Sequence, residues 1–161
     1  MSGKQYWSGI VANDDLPPRV AGYLAAASEA HDWREAEALL LRAQVADPDC
    51  LHVYFTLYKL YFNHKRLGDA ERAACLALDA AARLAGLPSD WRMMDVNSCD
   101  WSEDHSPQHF YLFSLKALAF IRLRQLRTQD CLQLLEKLRE IDPQDSVGAS
   151  VIEAYAEGVA A

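Results

Sequence analysis

Apolar residues recur along most of the chain at the three- and four-residue spacing of an α-helix. The pattern is strongest in residues 51 to 62, where five of the twelve side chains are aromatic. Four of its large apolar residues share one face of such a helix: Tyr54, Leu57, Tyr58 and Tyr61. Phe55 and Phe62 lie on a neighbouring face, and a helix that is apolar on two sides needs neighbours on two sides. The pattern predicts a helix in the middle of a helical stack.

Capping and helix-breaking residues mark two further helices before residue 51. Pro18 suits the first turn of a helix that we expect to run to about Ala30. Asp32 with Glu35 has the spacing of a capping box, so a second helix is predicted from there to the residues before Pro48. Residues 1 to 16 show no sustained period and are interpreted as an N-terminal arm.

Four more helices are predicted after the aromatic one. The fourth begins near Leu67 and ends at Gly86, and the fifth begins at Ser106-Pro107 and runs to about Arg124. Thr128 is predicted to cap the sixth, which ends before Pro143. A last amphipathic segment, residues 146 to 157, is expected to cover the open end of the stack.

The helix pairs repeat with a period of 34 residues. Ala36 and Ala70 are 34 apart, and Pro48 and Pro143 are separated by two such periods plus 27 residues. A 34-residue unit of two helices, with small residues where the helices cross, resembles the tetratricopeptide repeat. This resemblance implies an all-α solenoid in one domain, with repeats at about 17–50, 51–84 and 112–145, an insertion at 85–111 and a C-terminal capping helix.

The third repeat can be aligned in two ways. The simple period places Arg122 where the repeat usually buries an aromatic residue, and Cys131 where it usually has alanine. A turn longer by two residues would instead place Phe113, Ala117 and Phe120 at the large-small-large positions. We prefer the second register because it buries no arginine.

The insertion at 85–111 is long for a connection within a compact domain, and such loops tend to be functional or mobile. It carries five carboxylates against one cation, Arg92, together with two tryptophans and two methionines. We expect the insertion to be either the most mobile part of the chain or a lid across one end of the groove between the repeats.

Composition narrows the classes of function. The chain has 161 residues, 51% of them hydrophobic, without an apolar run long enough to cross a membrane or an N-terminal signal segment. A cytoplasmic location is therefore expected, with its four scattered cysteines as free thiols. A net charge of −7 disfavours general nucleic-acid binding.

Motifs for catalysis or cofactor binding are missing from the sequence. It has no glycine-rich phosphate loop and no recognisable arrangement of nucleophile and base, so neither an enzyme nor a cofactor is expected. His105 and His109 have a spacing that could serve a metal on a helix, but Pro107 lies between them. We interpret them as polar loop residues and predict no metal site.

The repeat resemblance implies a groove that binds a protein. In such repeats the first helix of each unit lines a concave surface, which in the second repeat corresponds to His52, Phe55, Thr56, Lys59, Phe62 and Asn63. The predicted binding surface also includes Lys116 and Arg124. They lie with Arg122 and Arg127 in a stretch that has cations and no acidic residue, which would form a cationic wall of the groove. The alternatives are that the two phenylalanines pack in the core and that the cations form a solvated face. Residues of the clamp that holds chaperone C-terminal carboxylates are absent, since the corresponding positions are Ala21, Ala25, Thr56, Phe113 and Ala117.

Three stretches point to a narrower resemblance. Tyr-Trp-Ser-Gly at residues 6 to 9, Gly-Leu-Pro-Ser-Asp-Trp-Arg at 86 to 92 and Phe-Tyr-Leu-Phe-Ser-Leu-Lys at 110 to 116 resemble a small group of bacterial repeat proteins encoded with nitrogen-fixation genes. This resemblance implies an accessory or chaperone factor that binds the nitrogenase molybdenum-iron protein or an immature form of it. The alternative is a type III secretion chaperone that holds an export substrate. Either the groove or the insertion could be the binding site.

Overall fold

The protein is all-α. A computed structural model describes residues 16 to 160, without the side chains of the last two, so most of the predicted N-terminal arm lies outside the described residues. This part of the chain has seven α-helices and one 3₁₀ turn, Trp91–Met93. The helices are α1 (Pro18–Ser28), α2 (Trp33–Ala46), α3 (Leu51–Asn63), α4 (Leu67–Ala85), α5 (Pro107–Arg124), α6 (Thr128–Ile141) and α7 (Ser150–Ala160).

Local signals account for three of the helix ends. The Asp32 carboxylate accepts a hydrogen bond from the Glu35 amide at 2.8 Å, and Glu35 in turn accepts one from the His31 amide. Gly86 ends α4 in the left-handed conformation with φ +70°, where a glycine has no Cβ to strain. Ser106 caps α5 by accepting from the His109 amide at 3.1 Å. Thr128 is the first residue of α6 and gives it no side-chain cap, so that detail of the sequence prediction was wrong.

Each helix packs against the next one along the chain. In addition α3 contacts α5, and α5 contacts α7, so these odd-numbered helices form one layer with α4 and α6 beside it. The most buried helix is α5, which has twelve buried residues, including Tyr111, Leu112 and Leu115, and α3 has six among its 13 residues. The aromatic helix therefore lies in the interior of the stack, as its pattern predicted.

The spacing of the helices shows which alignment of the third pair is correct. The helices α2, α4 and α6 begin at Trp33, Leu67 and Thr128, which are separated by 34 and 61 residues. The α3–α4 and α5–α6 turns have the same length, and each has a residue with φ near +60°, Lys65 and Leu126. The preferred register with a longer turn was therefore wrong, and Arg122 occupies in α5 the position that Tyr61 occupies in α3.

The last helix begins four residues later than predicted. Residues 142 to 149 form a compact connection in which the buried Asp142 carboxylate accepts from the Ser146 amide, the Ser146 hydroxyl and the Val147 amide. Asp145 and Gly148 both have positive φ, which prevents a helix from starting earlier. The α6–α7 connection is thus closed by its own hydrogen bonds.

The irregular part of the insertion packs against the neighbouring helices. Because α4 continues to Ala85 and α5 begins at Pro107, the connection is residues 86 to 106. Met94 is 1% exposed and Trp101 is buried, with its indole N–H donating to the Asp95 carbonyl at 2.8 Å. Lys137 of α6 donates to the Met94 carbonyl at 2.6 Å. These contacts attach the connection to the neighbouring helices.

Across residues 16 to 160 no helix is both long enough and apolar enough to cross a membrane.

Candidate protein-interaction surface

Three aromatic rings form a row across the layer of odd-numbered helices. The ring of Phe62 on α3 lies 5.0 Å from that of Phe120 on α5, measured between centroids. Phe120 stacks in turn on Tyr155 of α7 at 5.9 Å, with 22° between the ring planes. Phe62 and Phe120 are half-buried and Tyr155 is 36% exposed, so the row is accessible from outside. We call these three residues the aromatic row.

The helices that carry most of this layer contain no acidic residue. The sequences of α1, α3 and α5 include no aspartate or glutamate, although the whole chain has 23 of them and a net charge of −7. Within residues 16 to 160 the acids lie instead in the even-numbered helices, in α7 and in the connections. The α3 and α5 part of the layer therefore carries cations and no acids, whereas α7 adds Glu153 and Glu157.

The predicted cations are placed unequally around this surface. Arg124 is exposed at the end of α5, and the ammonium of Lys59 lies 6.0 Å from the centre of the Phe55 ring. Lys116 is only 8% exposed, and its ammonium donates to the Val147 carbonyl at 2.7 Å. Burial lowers the pKa of Lys116, and nearby Asp145 opposes that effect. Lys116 therefore fastens the α6–α7 connection.

The remaining predicted residues of α3 also differ in accessibility. Phe55 is 6% exposed and meets Tyr58 edge-on at 5.6 Å, so the structure places it in the core. His52 is half-buried, and burial followed by the charge of Lys59 lowers its pKa. The Thr56 hydroxyl bonds to the carbonyl of His52, while Asn63 is exposed. A direct role of Phe55 and Lys116 in partner binding stays a prediction. Because both side chains are buried, they offer a partner little accessible surface.

Arg122 and Arg127, predicted to belong to a cationic wall, are both engaged with Glu71 of α4. The Arg122 guanidinium pairs with this carboxylate, Arg127 approaches it at 3.3 Å, and Gln125 donates to it at 2.8 Å. Although burial alone would raise the pKa of Glu71, these partners bring it below its usual value. Only part of the predicted wall is therefore available to a partner.

The contact between Arg122 and Glu71 has a counterpart one unit earlier. Tyr61 is equivalent to Arg122, and Glu37 of α2 is equivalent to Glu71, 34 residues later. Glu37 lies against the Tyr61 hydroxyl; burial and this carboxylate both raise the pKa of Tyr61. The equivalent contact between neighbouring helix pairs is thus made once by a tyrosine and once by an arginine.

The two histidines considered as metal ligands do not share a helical face. His105 precedes α5 and has a φ of +61°, whereas His109 lies in the first turn of α5 with its ring edge-on to Phe113 at 5.1 Å. Within residues 16 to 160 no three histidine, cysteine, aspartate or glutamate side chains are grouped so that they could hold a metal ion.

Sequence reasoning assigned neither Phe120 nor Tyr155 to the candidate surface. The row forms only when α3, α5 and α7 lie side by side, so no single helix pattern shows it. The correct register was the available signal, because it aligns Phe120 with Lys59, a predicted groove position.

Comparison with known proteins gives one informative relationship. The chain is 29% identical over 142 residues to an uncharacterized 19.8 kDa protein in the nifW 5′ region of Azotobacter chroococcum mcd 1, covering 87% of this chain and 79% of that protein. No protein-family model matches the chain, and no solved structure does. The chain is therefore a distant homologue of a protein encoded in a nitrogen-fixation gene region.

Proposed function

We propose that this protein is a non-catalytic, tetratricopeptide-like binding module that serves nitrogen fixation as an accessory factor. Its partner on this proposal is the nitrogenase molybdenum-iron protein or an immature form of it. The gene region of the distant homologue supports the nitrogen-fixation role and favours it over the alternative of a secretion chaperone. The 34-residue spacing of the helix pairs and their matched turns support the repeat assignment.

The observation that carries the binding role is the aromatic row, two of whose three rings lie on helices without acidic residues. Partly exposed aromatic rings on a rigid layer provide apolar contact area at little cost in side-chain entropy. Exposed cations beside them favour a partner segment that presents carboxylates next to an apolar side chain. We expect such a segment to lie across α3, α5 and α7, with Lys59, Asn63 and Arg124 at its edges.

Binding of purified nitrogenase molybdenum-iron protein to the immobilised chain tests this proposal. Tyr155→Ala should weaken binding about tenfold or more, because it removes the most accessible ring of the row. Leu76→Ala is the matched control, since Leu76 is 46% exposed on α4 and lies outside the row. Arg124→Glu should mainly slow association at low salt, whereas Arg42→Glu on α2 should not.

Two results would contradict the proposal in different ways. No binding by the parent protein to either the mature or the cofactor-free molybdenum-iron protein would remove the nitrogenase assignment. Binding that is unchanged in Tyr155→Ala and Arg124→Glu, with both variants folded, would remove the aromatic row as the site.

A further inference from the structure

The connection between α4 and α5 presents a second apolar surface, separate from the aromatic row. Met93 is 66% exposed and Val96 is 51% exposed, on either side of the buried Met94. Trp91 is half-buried beside them, with the Arg92 guanidinium 4.5 Å from the centre of its ring. We call Trp91, Met93 and Val96 the insertion tip.

The backbone behind the insertion tip is held in one conformation. The Asp90 carboxylate accepts from the Arg92 amide at 3.0 Å, and that of Asp95 accepts from the Asn97 amide at 2.7 Å. Met94 and Trp101 point inward, and Lys137 of α6 fixes the Met94 carbonyl. A partner would therefore meet apolar side chains that are already positioned, with little backbone entropy left to lose.

The connection that carries the insertion tip has more carboxylates than cations. It holds five carboxylates and one cation, Arg92, and Lys137 of α6 lies beside Met94. In the connection, Arg92 approaches only Asp90, at 3.4 Å, and lies over Trp91. Among the described residues no ion pair is formed by the other four carboxylates of the connection, Asp95, Asp100, Glu103 and Asp104.

We propose that the insertion tip is a docking surface for a basic protein segment that presents an apolar side chain between lysine or arginine residues. The apolar residue would cover Met93 and Val96, and the cations would face the carboxylates of the connection. This charge complementarity is opposite to that of the aromatic row, so the two surfaces select different segments. The proposal does not depend on the nitrogenase assignment.

Fluorescence anisotropy with three labelled synthetic peptides tests the proposal at low salt. The first peptide alternates lysine with leucine and phenylalanine, the second replaces the apolar residues with serine, and the third replaces lysine with glutamate. The parent protein should bind the first peptide about tenfold more tightly than either of the others.

Variants then locate the site. Met93→Ser with Val96→Ser should weaken binding of the first peptide about tenfold, and Asp95→Asn with Asp104→Asn should do so mainly at low salt. Val45→Ser with Glu29→Gln is the matched control, because it changes an exposed apolar residue and an exposed acid at α1 and α2. Tyr155→Ala should leave binding of this peptide unchanged, which separates the insertion tip from the aromatic row.

Three outcomes would overturn the inference. Equal affinity for the leucine and serine peptides would show a general electrostatic attraction without an apolar contact. Equal affinity of the parent protein and the Met93→Ser/Val96→Ser variant would place the peptide elsewhere. Amide chemical-shift changes that are confined to α3, α5 and α7 during the titration would place it on the aromatic row.

Discussion

Arg122 shows how one position can be filled by very different side chains when the neighbouring unit supplies the right partner. Its guanidinium is largely withdrawn from water, yet it meets the carboxylate of Glu71, as the tyrosine at the equivalent position meets Glu37. A partly buried arginine is tolerated when its donors are bound and its charge is balanced. Glu71 therefore connects α4 to α5 through its contact with Arg122.

Replacement of Glu71 should produce a pH-dependent loss of stability. The folded-state pKa of Glu71 is lowered, so its stabilising effect is complete above the ordinary glutamate pKa of about 4.3 and is lost as the pH falls through the folded-state value. Glu71→Gln should lower the free energy of unfolding by about 1 to 2 kcal/mol at pH 7. This difference from the parent protein should shrink below about pH 4.

Urea unfolding from pH 7 down to pH 3.5 measures that difference. Glu136→Gln, at an exposed position of α6, is the matched control and should have no effect. Arg122→Tyr should restore the arrangement seen at Tyr61 and remain more stable than Arg122→Ala. A constant difference between Glu71→Gln and the parent protein at all pH values would show that the carboxylate charge contributes nothing.

Individual residues also show the limit of prediction from sequence. The pattern of α3 identified its core face, but could not decide whether Phe55 and Phe62 faced the same surroundings. Phe55 lies in the core and Phe62 joins the aromatic row, because the contacts of each depend on where α5 passes. Side-chain exposure at such positions follows from tertiary packing, which a helix period does not contain.

Among the elements, helix starts and ends that depend on local capping were well predicted. The capping box of α2, the left-handed glycine after α4 and the serine cap of α5 all occur as expected. The start of α7 was wrong because it depends on Asp142 and on the Lys116 side chain from α5, 31 residues before the carbonyl that it binds. The hydrogen bonds of Asp142 and the positive φ of Asp145 and Gly148 are local, whereas a helix period does not show the contact of Lys116.

Hydrogen exchange should show the α4–α5 connection to be ordered, with the amides of Met94, Asn97 and Ser98 protected by their turn hydrogen bonds. Lys137→Met removes the bond to the Met94 carbonyl and should speed exchange there about fivefold to tenfold, which corresponds to the usual net contribution of one hydrogen bond. Lys65→Met, at an exposed turn residue, is the control. Exchange of the connection within seconds in the parent protein would contradict its docked arrangement.

In the whole molecule the units are joined with unequal strength. The helix α4 packs extensively against both α3 and α5, whereas α2 meets α3 over a smaller area, and Val20 is the one buried residue of α1. In a stack of units, stability is approximately the sum of the terms within units and between neighbours. The α1–α2 pair is therefore expected to be the least firmly held part of residues 16 to 160.

Native-state hydrogen exchange at low denaturant concentrations tests this order. Amides of α1 and α2 should exchange through a partial opening with a lower free energy than that of α4 and α5. Leu40→Ala should lower the opening free energy of the first pair, and Leu138→Ala in α6 is the matched control, since both leucines are 1% exposed. A single opening free energy shared by all helices would show that the domain unfolds as one unit.

The absence of acidic residues from α1, α3 and α5 has a kinetic consequence. Within residues 16 to 160 the negative charge lies in the connections and the remaining helices, so charge is unevenly distributed and the α3 and α5 part of the aromatic row lies where acids are absent. An approaching acidic protein experiences a torque as well as an attraction, and the two molecules turn toward a productive orientation before they touch. Orientation of this kind raises the rate of association more than it slows dissociation, and it weakens as salt shortens the range of the field.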